Sequence, residues 1–226
     1  VKNAKVLKEV SFVEAIEMAL FGAKQIHPRT FEPLLSQKIP MKIRNSFNMD
    51  NQGTLVTISP SSSFKNTVKC VSNVQHNGLI DIRGGSMIGT PGTAAKIFAT
   101  LANSGINVMM ISQNPSESSI TIVVKNSDLD NYFIFSNHEF EDFNLFLLGK
   151  IIKKLEVTTD VAIIALIGSG MRGTVGVASK VFGTIEKKGI NVSMITQGSS
   201  ELNLAFVVKN SDTNKNINLL IKLLIL

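Results

Sequence analysis

Two kinds of apolar spacing alternate along the chain. Runs of apolar, often β-branched residues predict buried strands over Leu79–Arg83 and Val161–Ile167. Each run leads into a glycine-rich turn and then into apolar residues with the three-to-four-residue spacing of an amphipathic helix. The helical positions are Ala94, Ile97, Phe98 and Leu101 in the first segment and Ala178, Val181, Phe182 and Ile185 in the second. Both segments therefore predict the same strand-turn-helix unit.

These units belong to an internal repeat. Gly84–Asp128 aligns without a gap onto Gly168–Asp212, about half of the aligned positions are identical, and both copies end in Val-Val-Lys-Asn-Ser-Asp. Such self-similarity indicates a duplicated structural unit. Two more strands and a closing helix are predicted in each copy: Ile106–Ser112, Ile120–Lys125 and Phe143–Lys154, then Ile190–Thr196, Leu204–Lys209 and Asn214–Ile225. This order is that of a ferredoxin-like βαββαβ module without its last strand.

The missing last strands predict how the two modules are connected. Leu155–Thr159 can close the first copy, whereas no residues follow the closing helix of the second copy. Thr54–Ile58, ahead of the first copy, is apolar enough to close the second, so we expect the first module to be inserted in the chain of the second. The expected fold is α+β, with two ferredoxin-like modules packed into one body.

The glycine-rich turn of the second copy, Gly168–Gly173, matches the dinucleotide fingerprint GxGxxG. A nucleotide site is nevertheless disfavoured, because the repeat partner Gly84–Gly89 lacks the middle glycine and the next strand ends in Thr196-Gln197 instead of an acidic residue. The chain also has too few strands for a doubly wound sheet. Two interpretations of the glycines stay open: a helix start that binds a carboxylate, or a tight turn that needs positive φ.

Charge and composition exclude several functions. The net charge of +6 is spread without long basic runs, which disfavours nucleic-acid binding. One cysteine, Cys70, excludes an internal disulfide, and the scattered histidines (His27, His76 and His138) predict no metal site. A reducing, cytoplasmic location fits this cysteine usage.

The two ends of the chain raise separate questions. The apolar end, residues 217–226, is about half as long as a bilayer-spanning helix, so we expect no membrane association. Because the chain begins with Val1 instead of methionine, we expect that sequence before it has been lost.

The segments Met87–Phe98 and Gly105–Gln113, with Ser116-Glu117, resemble the tandem ACT domains of aspartate kinases. Glu9–Ala15 and Phe21–Thr30 resemble the last helix and loop of the same family's kinase domain, and Ile39–Phe47 resembles its final strand. The resemblance implies four parts: a remnant of an α/β kinase domain over 1–50, a linker and donated strand over 51–66, a first ACT domain over 67–160 and a second over 161–226.

What the resemblance implies for catalysis is limited. The family's phosphate loop and aspartate-binding residues have no counterpart in this chain, and only Lys24 and Gln25 match positions that contact ATP. Phosphoryl transfer needs phosphate, metal and substrate to be positioned together. We therefore expect no catalytic residue, cofactor or metal in this chain alone, although the whole enzyme uses ATP and Mg²⁺. A truncated product, a separate regulatory subunit and part of a fusion with homoserine dehydrogenase all remain open, as does an orphan amino-acid sensor acting on another partner.

The family's regulation implies an effector site and a partner. Paired ACT domains of two chains bind lysine or threonine and inhibit the kinase, so we expect a homodimer whose helix Phe12–Phe21 and strand Met41–Phe47 transmit the signal. Methionine at position 109, where lysine-sensing members often carry aspartate, favours threonine over lysine; the alternative is that Met109 only fills the core. The implied effector-binding residues are Met87, Gly89, Thr90, Gly92, Thr93, Ala94, Asn107, Val108, Met109, Gln113, Ser116, Glu117, Asn191 and Gln197.

Overall fold

The computed structural model describes residues 5–23, 26–61, 67–116, 118–129, 153–214 and 218–220. Its strands are β1 (Glu9–Ser11), β2 (Met41–Ile43), β3 (Thr54–Thr57), β4 (Cys70–Arg83), β5 (Met110–Gln113), β6 (Ser119–Lys125), β7 (Lys154–Ile167), β8 (Met194–Thr196) and β9 (Asn203–Lys209). Its helices are α1 (Phe12–Leu20), α2 (Phe31–Ser36), α3 (Thr93–Asn103) and α4 (Val177–Glu186). None of the helices in the described residues is long and apolar enough to cross a membrane.

A small N-terminal unit combines α1 and α2 with a three-stranded sheet in the order β1-β3-β2. Ser11 starts α1 with a reciprocal capping box, in which its side chain accepts from Glu14 N–H while Glu14 accepts from the Ser11 N–H. The core of this unit contains Phe12 and Phe31, whose rings meet edge to face, and Val56 of β3. Phe12 and Phe31 lie in the segment that resembles the end of a kinase domain, whereas Val56 lies in the predicted linker.

The other described strands form a six-stranded sheet in the order β5-β6-β4-β7-β9-β8. Its two central strands, β4 and β7, are 14 residues long, and each contributes one half to each module. The first module consists of Asn77–Arg83 of β4, α3, β5, β6 and the start of β7. The second module consists of Cys70–Val74 of β4, the rest of β7, α4, β8 and β9. Two ferredoxin-like modules packed together are thus confirmed.

The predicted insertion is correct, but the predicted donor strand is wrong. Thr54–Thr57 pairs with β1 and β2 in the N-terminal sheet and does not join the second module. Cys70–Val74 fills that place, pairing antiparallel with Ile163–Ile167. The misassignment has a physical reason: the donated strand and the first strand of the first module are one continuous strand, which a bulge between Val74 and Asn77 interrupts.

Three buried apolar clusters form the cores of the modules: one lies in each module, and the third contains residues of both. The helical face of the first module packs α3 on β4 and β6 through Ile97, Leu101 and Ile122. The second module does the same with α4 through Val181, Ile185 and Phe206. A third cluster lies on the opposite face of the sheet, where β5 and β8, the two ends of the strand order, come next to each other.

The remaining predicted elements agree in place, with shifted limits. The strands expected from Ile106 and Ile190 begin only at Met110 and Met194. The strand expected over Leu155–Thr159 is confirmed, since residues 155–158 pair with β4. The closing helices predicted over Phe143–Lys154 and Asn214–Ile225 lie largely outside the described residues.

Candidate functional site

A cavity of about 270 Å³ opens where the glycine-rich turn of the first module meets the start of α3. The turn and the first residues of the helix form one side, and strands β5 and β6 each add one residue. The wall contains Met87, Gly89, Thr90, Pro91, Gly92, Thr93, Ala94, Gln113 and Ile120. A volume of this size can accommodate a small molecule.

The chemistry of the cavity follows from its turn. Gly92 adopts φ 87° and ψ 0°, a left-handed conformation that a side chain would strain. The Thr93 hydroxyl donates to the Thr90 carbonyl at 2.9 Å and tightens the turn. The helix begins at once afterwards, so its first N–H groups have no acceptor within the helix and carry the positive end of the helix dipole. This end of the cavity therefore suits a carboxylate.

Seven of the residues predicted for the site lie together in this wall. They are Met87, Gly89, Thr90, Gly92, Thr93, Ala94 and Gln113. Sequence reasoning missed Pro91 and Ile120, although Pro91 stands inside the quoted motif. Three of the predicted residues lie outside the described part of the chain: Glu117 and the two ATP-contact candidates Lys24 and Gln25.

Four other predicted residues of the first module are not in the cavity wall. Val108 packs against the helical-face cluster, and Met109 packs against the cluster on the opposite face of the sheet. The Asn107 N–H donates to Asp128 at 3.4 Å, and the exposed Ser116 bonds to its neighbours Asn114 and Ser118. Met109 is half-buried against this cluster, which agrees with its alternative interpretation.

In the second module the predicted residues Asn191 and Gln197 are both exposed. The glycine-rich turn here is engaged by a carboxylate of its own module, because the Gly173 N–H donates to Glu201 at 2.7 Å. Glu201 itself has a φ of 53°, which is rare for a residue with a side chain.

A second carboxylate, that of Glu14 on α1, also reaches this turn. Glu14 has no exposed surface, and one of its oxygens accepts the Ser169 N–H at 2.8 Å. The other oxygen accepts from the Ser11 N–H at 2.9 Å and from the Lys69 ammonium at 2.9 Å. Burial on its own raises the pKa of Glu14, but the hydrogen bonds from Ser11, Lys69 and Ser169 outweigh it and lower this pKa from 4.5 to about 2. Glu14 is thus a buried, ionised link between α1 and the second module.

Two further contacts hold α1 on the same module. The Asn203 amide of β9 donates to Glu17 at 2.6 Å, and the Ser72 hydroxyl of β4 donates to the Phe21 carbonyl at 2.6 Å. Met18 and Phe21 pack against the opposite-face cluster. The hydrogen bonds of Glu14 and Glu17 thus connect α1 to Ser169 and Asn203 of the second module.

The described residues contain no group of three or more His, Cys, Asp or Glu side chains that could hold a metal ion. Burial raises the pKa of the Cys70 thiol to about 11.

Comparison with known proteins identifies the two modules. A profile of the ACT domain family matches residues 80–131 and 164–223. The chloroplastic bifunctional aspartokinase/homoserine dehydrogenase 1 of Arabidopsis thaliana is 37% identical over 216 residues, which are 94% of this chain and 23% of that protein. The chain thus spans less than a quarter of the length of this relative.

Solved structures match the whole arrangement. The R-state structure of E. coli aspartokinase III, with aspartate and ADP, superposes with a TM-score of 0.81 at 26% identity, over 100% of this chain and 48% of that chain. Its T-state structure, with lysine and aspartate, gives a TM-score of 0.76 at 28% identity, over 99% of this chain and 47% of that chain. The chain therefore belongs to the aspartate kinase family, in which it corresponds to the end of the amino-acid-kinase domain and the tandem ACT domains.

Proposed function

We propose that this chain is the amino-acid-sensing part of an aspartate kinase, the enzyme that phosphorylates L-aspartate with ATP and so starts lysine, threonine and methionine biosynthesis. In this proposal an end-product amino acid binds the first module and inhibits the kinase. The whole enzyme uses ATP and Mg²⁺, whereas this chain by itself carries no catalytic activity. The observation that carries the proposal is the cavity at the start of α3.

The cavity supports an amino-acid ligand because it offers two kinds of contact close together. Backbone N–H groups at the start of α3 suit the ligand's carboxylate. Thr90 and Gln113 line the same space and provide neutral hydrogen-bonding groups for its ammonium or side chain. A free α-amino acid has the size and the polarity that this arrangement needs.

The lining also supports threonine over lysine. Every lining residue among the described ones is uncharged. A buried ammonium without a charged partner costs several kcal/mol, whereas a hydroxyl is satisfied by neutral partners such as Gln113. This argument stands on the lining itself, since Met109 is not part of it.

Inhibition further requires that the ligand prefer one of two states of the protein. We propose that a homodimer formed through the ACT domains adopts these two states. Ile111 of the edge strand β5 is 48% exposed, and a partner chain at this edge would cover it. The ligand would then bias α1 and β2, which belong to the kinase side, by about 1–3 kcal/mol.

Calorimetry on the purified chain with threonine, lysine, methionine and isoleucine tests the ligand. We expect heat from threonine and weaker or no heat from the others. Gln113→Ala should weaken threonine binding about tenfold, because one hydrogen bond of about 1.4 kcal/mol is lost. The matched control is Gln197→Ala, the same residue at the same repeat position, which should change the affinity less. Heat from lysine but not from threonine would reverse the preference, and no heat from any of the four would reject the proposed site.

A further inference from the structure

Two N–H groups of the glycine-rich turn of the second module donate to carboxylates of the same chain. The Ser169 N–H donates to Glu14 at 2.8 Å and the Gly173 N–H donates to Glu201 at 2.7 Å. Backbone N–H groups that point out of a tight turn can bind anions, and here Ser169 and Gly173, four residues apart in the turn, each bind one carboxylate. The turn that resembles a dinucleotide fingerprint thus already contains the chemistry of an anionic ligand.

We propose that Gly168–Gly173 is an internal carboxylate-binding site whose ligand is Glu14, and that it docks the kinase-side helix α1 onto the second ACT module. Glu14 lies 155 residues away from Ser169 in sequence and is fully buried. The ammonium of Lys69, with a side chain only 7% exposed, neutralises the carboxylate on its other side. A buried charge is retained only where such partners surround it.

The packing around the turn is built for this contact. A Cβ atom added to Gly168 would lie 2.6 Å from the Thr67 carbonyl oxygen and 2.9 Å from the Lys69 nitrogen. The turn therefore rests directly on the backbone that carries Lys69. The Lys69 N–H also donates to the Ile167 carbonyl at 2.9 Å, which fixes the same two segments to each other.

The repeat provides an internal comparison for this site. Gly85 occupies the position of Ser169 in the first module, and a Cβ atom added there would meet no atom within 4 Å. The first turn borders the open cavity, whereas the second turn is occupied by α1. Gly85 is not part of the cavity wall, whereas Gly89, the repeat partner of Gly173, is.

Docking through Glu14 has a consequence for regulation, and this step rests on the proposed function. If α1 left the turn, the Glu14 carboxylate would lose a donor while buried, so α1 and the turn have to move together. A ligand-induced shift of the second module is then transmitted to the kinase side at this point.

The docking is tested without any ligand by amide hydrogen exchange, resolved by NMR, on the full 226-residue chain. In Glu14→Met/Lys69→Met both charges and the acceptor are removed together, which avoids an unpaired buried charge. We expect the exchange of the Ser169 amide and of the α1 amides to accelerate at least tenfold, with α3 unchanged. The control Glu14→Gln/Lys69→Met keeps an amide oxygen as acceptor and should retain most of the protection.

Two results would overturn the docking proposal. One is wild-type exchange at Ser169 in the Met/Met variant, and the other is an equal acceleration in α3, which would indicate a general loss of stability. A further measurement adds threonine. The amide exchange rates of α1 should then change in the wild type and stay the same in the Met/Met variant. Threonine binding that leaves α1 unchanged in the wild type refutes the transmission step. Absence of binding of threonine, lysine, methionine and isoleucine refutes the proposed function, and the ligand-free comparison still decides the docking.

Discussion

The two modules have similar sequences and the same fold, but they differ on the sheet face that lies opposite their helices. In the second module that face carries Ile163, Ala165 and Ile167, which are fully buried. They belong to the cluster that Met18 of α1 and Phe21, directly after α1, contact. The repeat partners in the first module are Leu79, Asp81 and Arg83. An apolar face requires a cover, and α1 provides it for the second module.

The polar face of the first module is satisfied by its own side chains. Arg83 donates to Asp81 at 2.6 Å, and Asp81 also accepts from the Thr121 hydroxyl at 3.1 Å. Lys154 and Glu156, on the neighbouring strand, form an exposed ion pair at 2.6 Å. This face is stable in water, which leaves the first module free to carry a ligand cavity on its other side.

The difference indicates a division of roles along β4 and β7. The cavity lies in the first module and the contacts to α1 lie in the second, and the two modules are joined by the shared strands β4 and β7 and by the cluster between β5 and β8. Both strands bend between the modules, where His76 and Asp160 adopt left-handed φ values of 60° and 56°. A residue with a side chain pays strain for such a conformation, so these bends are imposed by the surrounding fold.

The largest expected effect is the loss of stability when the buried ion pair of the second module is broken, compared with the loss when the exposed ion pair of the first module is broken. Lys69→Met leaves Glu14 charged and buried without its ammonium partner and should lower the free energy of unfolding by about 3–5 kcal/mol. Lys154→Met breaks an ion pair of similar length on the surface and should cost less than about 1 kcal/mol. Urea denaturation of both variants measures the difference. Equal losses would mean that the contact at Glu14 is no stronger than a surface pair.

Acid should weaken the same contact selectively. Because the pKa of Glu14 falls from 4.5 in the unfolded chain to about 2 in the fold, its contribution is complete above pH 4.5 and is lost as the pH falls towards 2. A shift of this size corresponds to about 3 kcal/mol, of which about 2 kcal/mol disappear by pH 3. The stability difference between wild type and Glu14→Gln/Lys69→Met should change by this amount between pH 6 and pH 3.

The control for the acid experiment is Glu32→Gln, which alters an exposed carboxylate on α2. Its stability difference from the wild type should stay nearly constant over the same pH range. If the stability difference of the Glu14 variant were also independent of pH, the contacts of Glu14 would not lower its pKa.

Much of the fold could be predicted from the sequence because the signals within each repeat copy are local. The spacing of Ile97 and Leu101, and the left-handed Gly92 at the helix start, can be read within a dozen residues. The donated strand Cys70–Val74 could not be predicted this way, since Ser72 and Asn73 interrupt its apolar residues and the polar Gln75 and His76 follow it. Only its pairing with the strongly apolar end of β7 makes it a core strand.

The same limit applies to the functional residues. The cavity wall is one turn with its helix start, so most of it was predictable from the motif. Glu14 carries a local signal, because Ser11 and Glu14 form a recognisable capping box. Its contacts to Lys69 and Ser169 join segments far apart in sequence, and no pattern of spacing could have predicted them.

Steric room distinguishes Gly168 of the second glycine-rich turn from Gly85 of the first, which lies one position further along the repeat. Gly168→Ala places a methyl group against backbone atoms of Thr67 and Lys69 and should destabilise the protein by about 1–3 kcal/mol. Gly85→Ala enters open space and should change the stability by less than about 0.5 kcal/mol. Thermal unfolding of the two variants compares them directly. If Gly168→Ala were as stable as the wild type, the turn would not be in firm contact with the segment that carries Lys69.

The smallest expected effect concerns rigidity of the two turns. Gly92 and Gly176 have almost the same backbone angles, with φ 87° at both, which suit the third residue of a type II turn. The second residue of such a turn favours proline, and the first module has Pro91 there, whereas the second has Val175, 97% exposed. Val175→Pro should therefore stabilise the second module by about 0.4–1 kcal/mol by restricting the unfolded chain, and Pro91→Ala should remove a similar amount from the first. Denaturant titrations resolve changes of this size, and a destabilised Val175→Pro would mean that the two turns differ in geometry as well as in occupant.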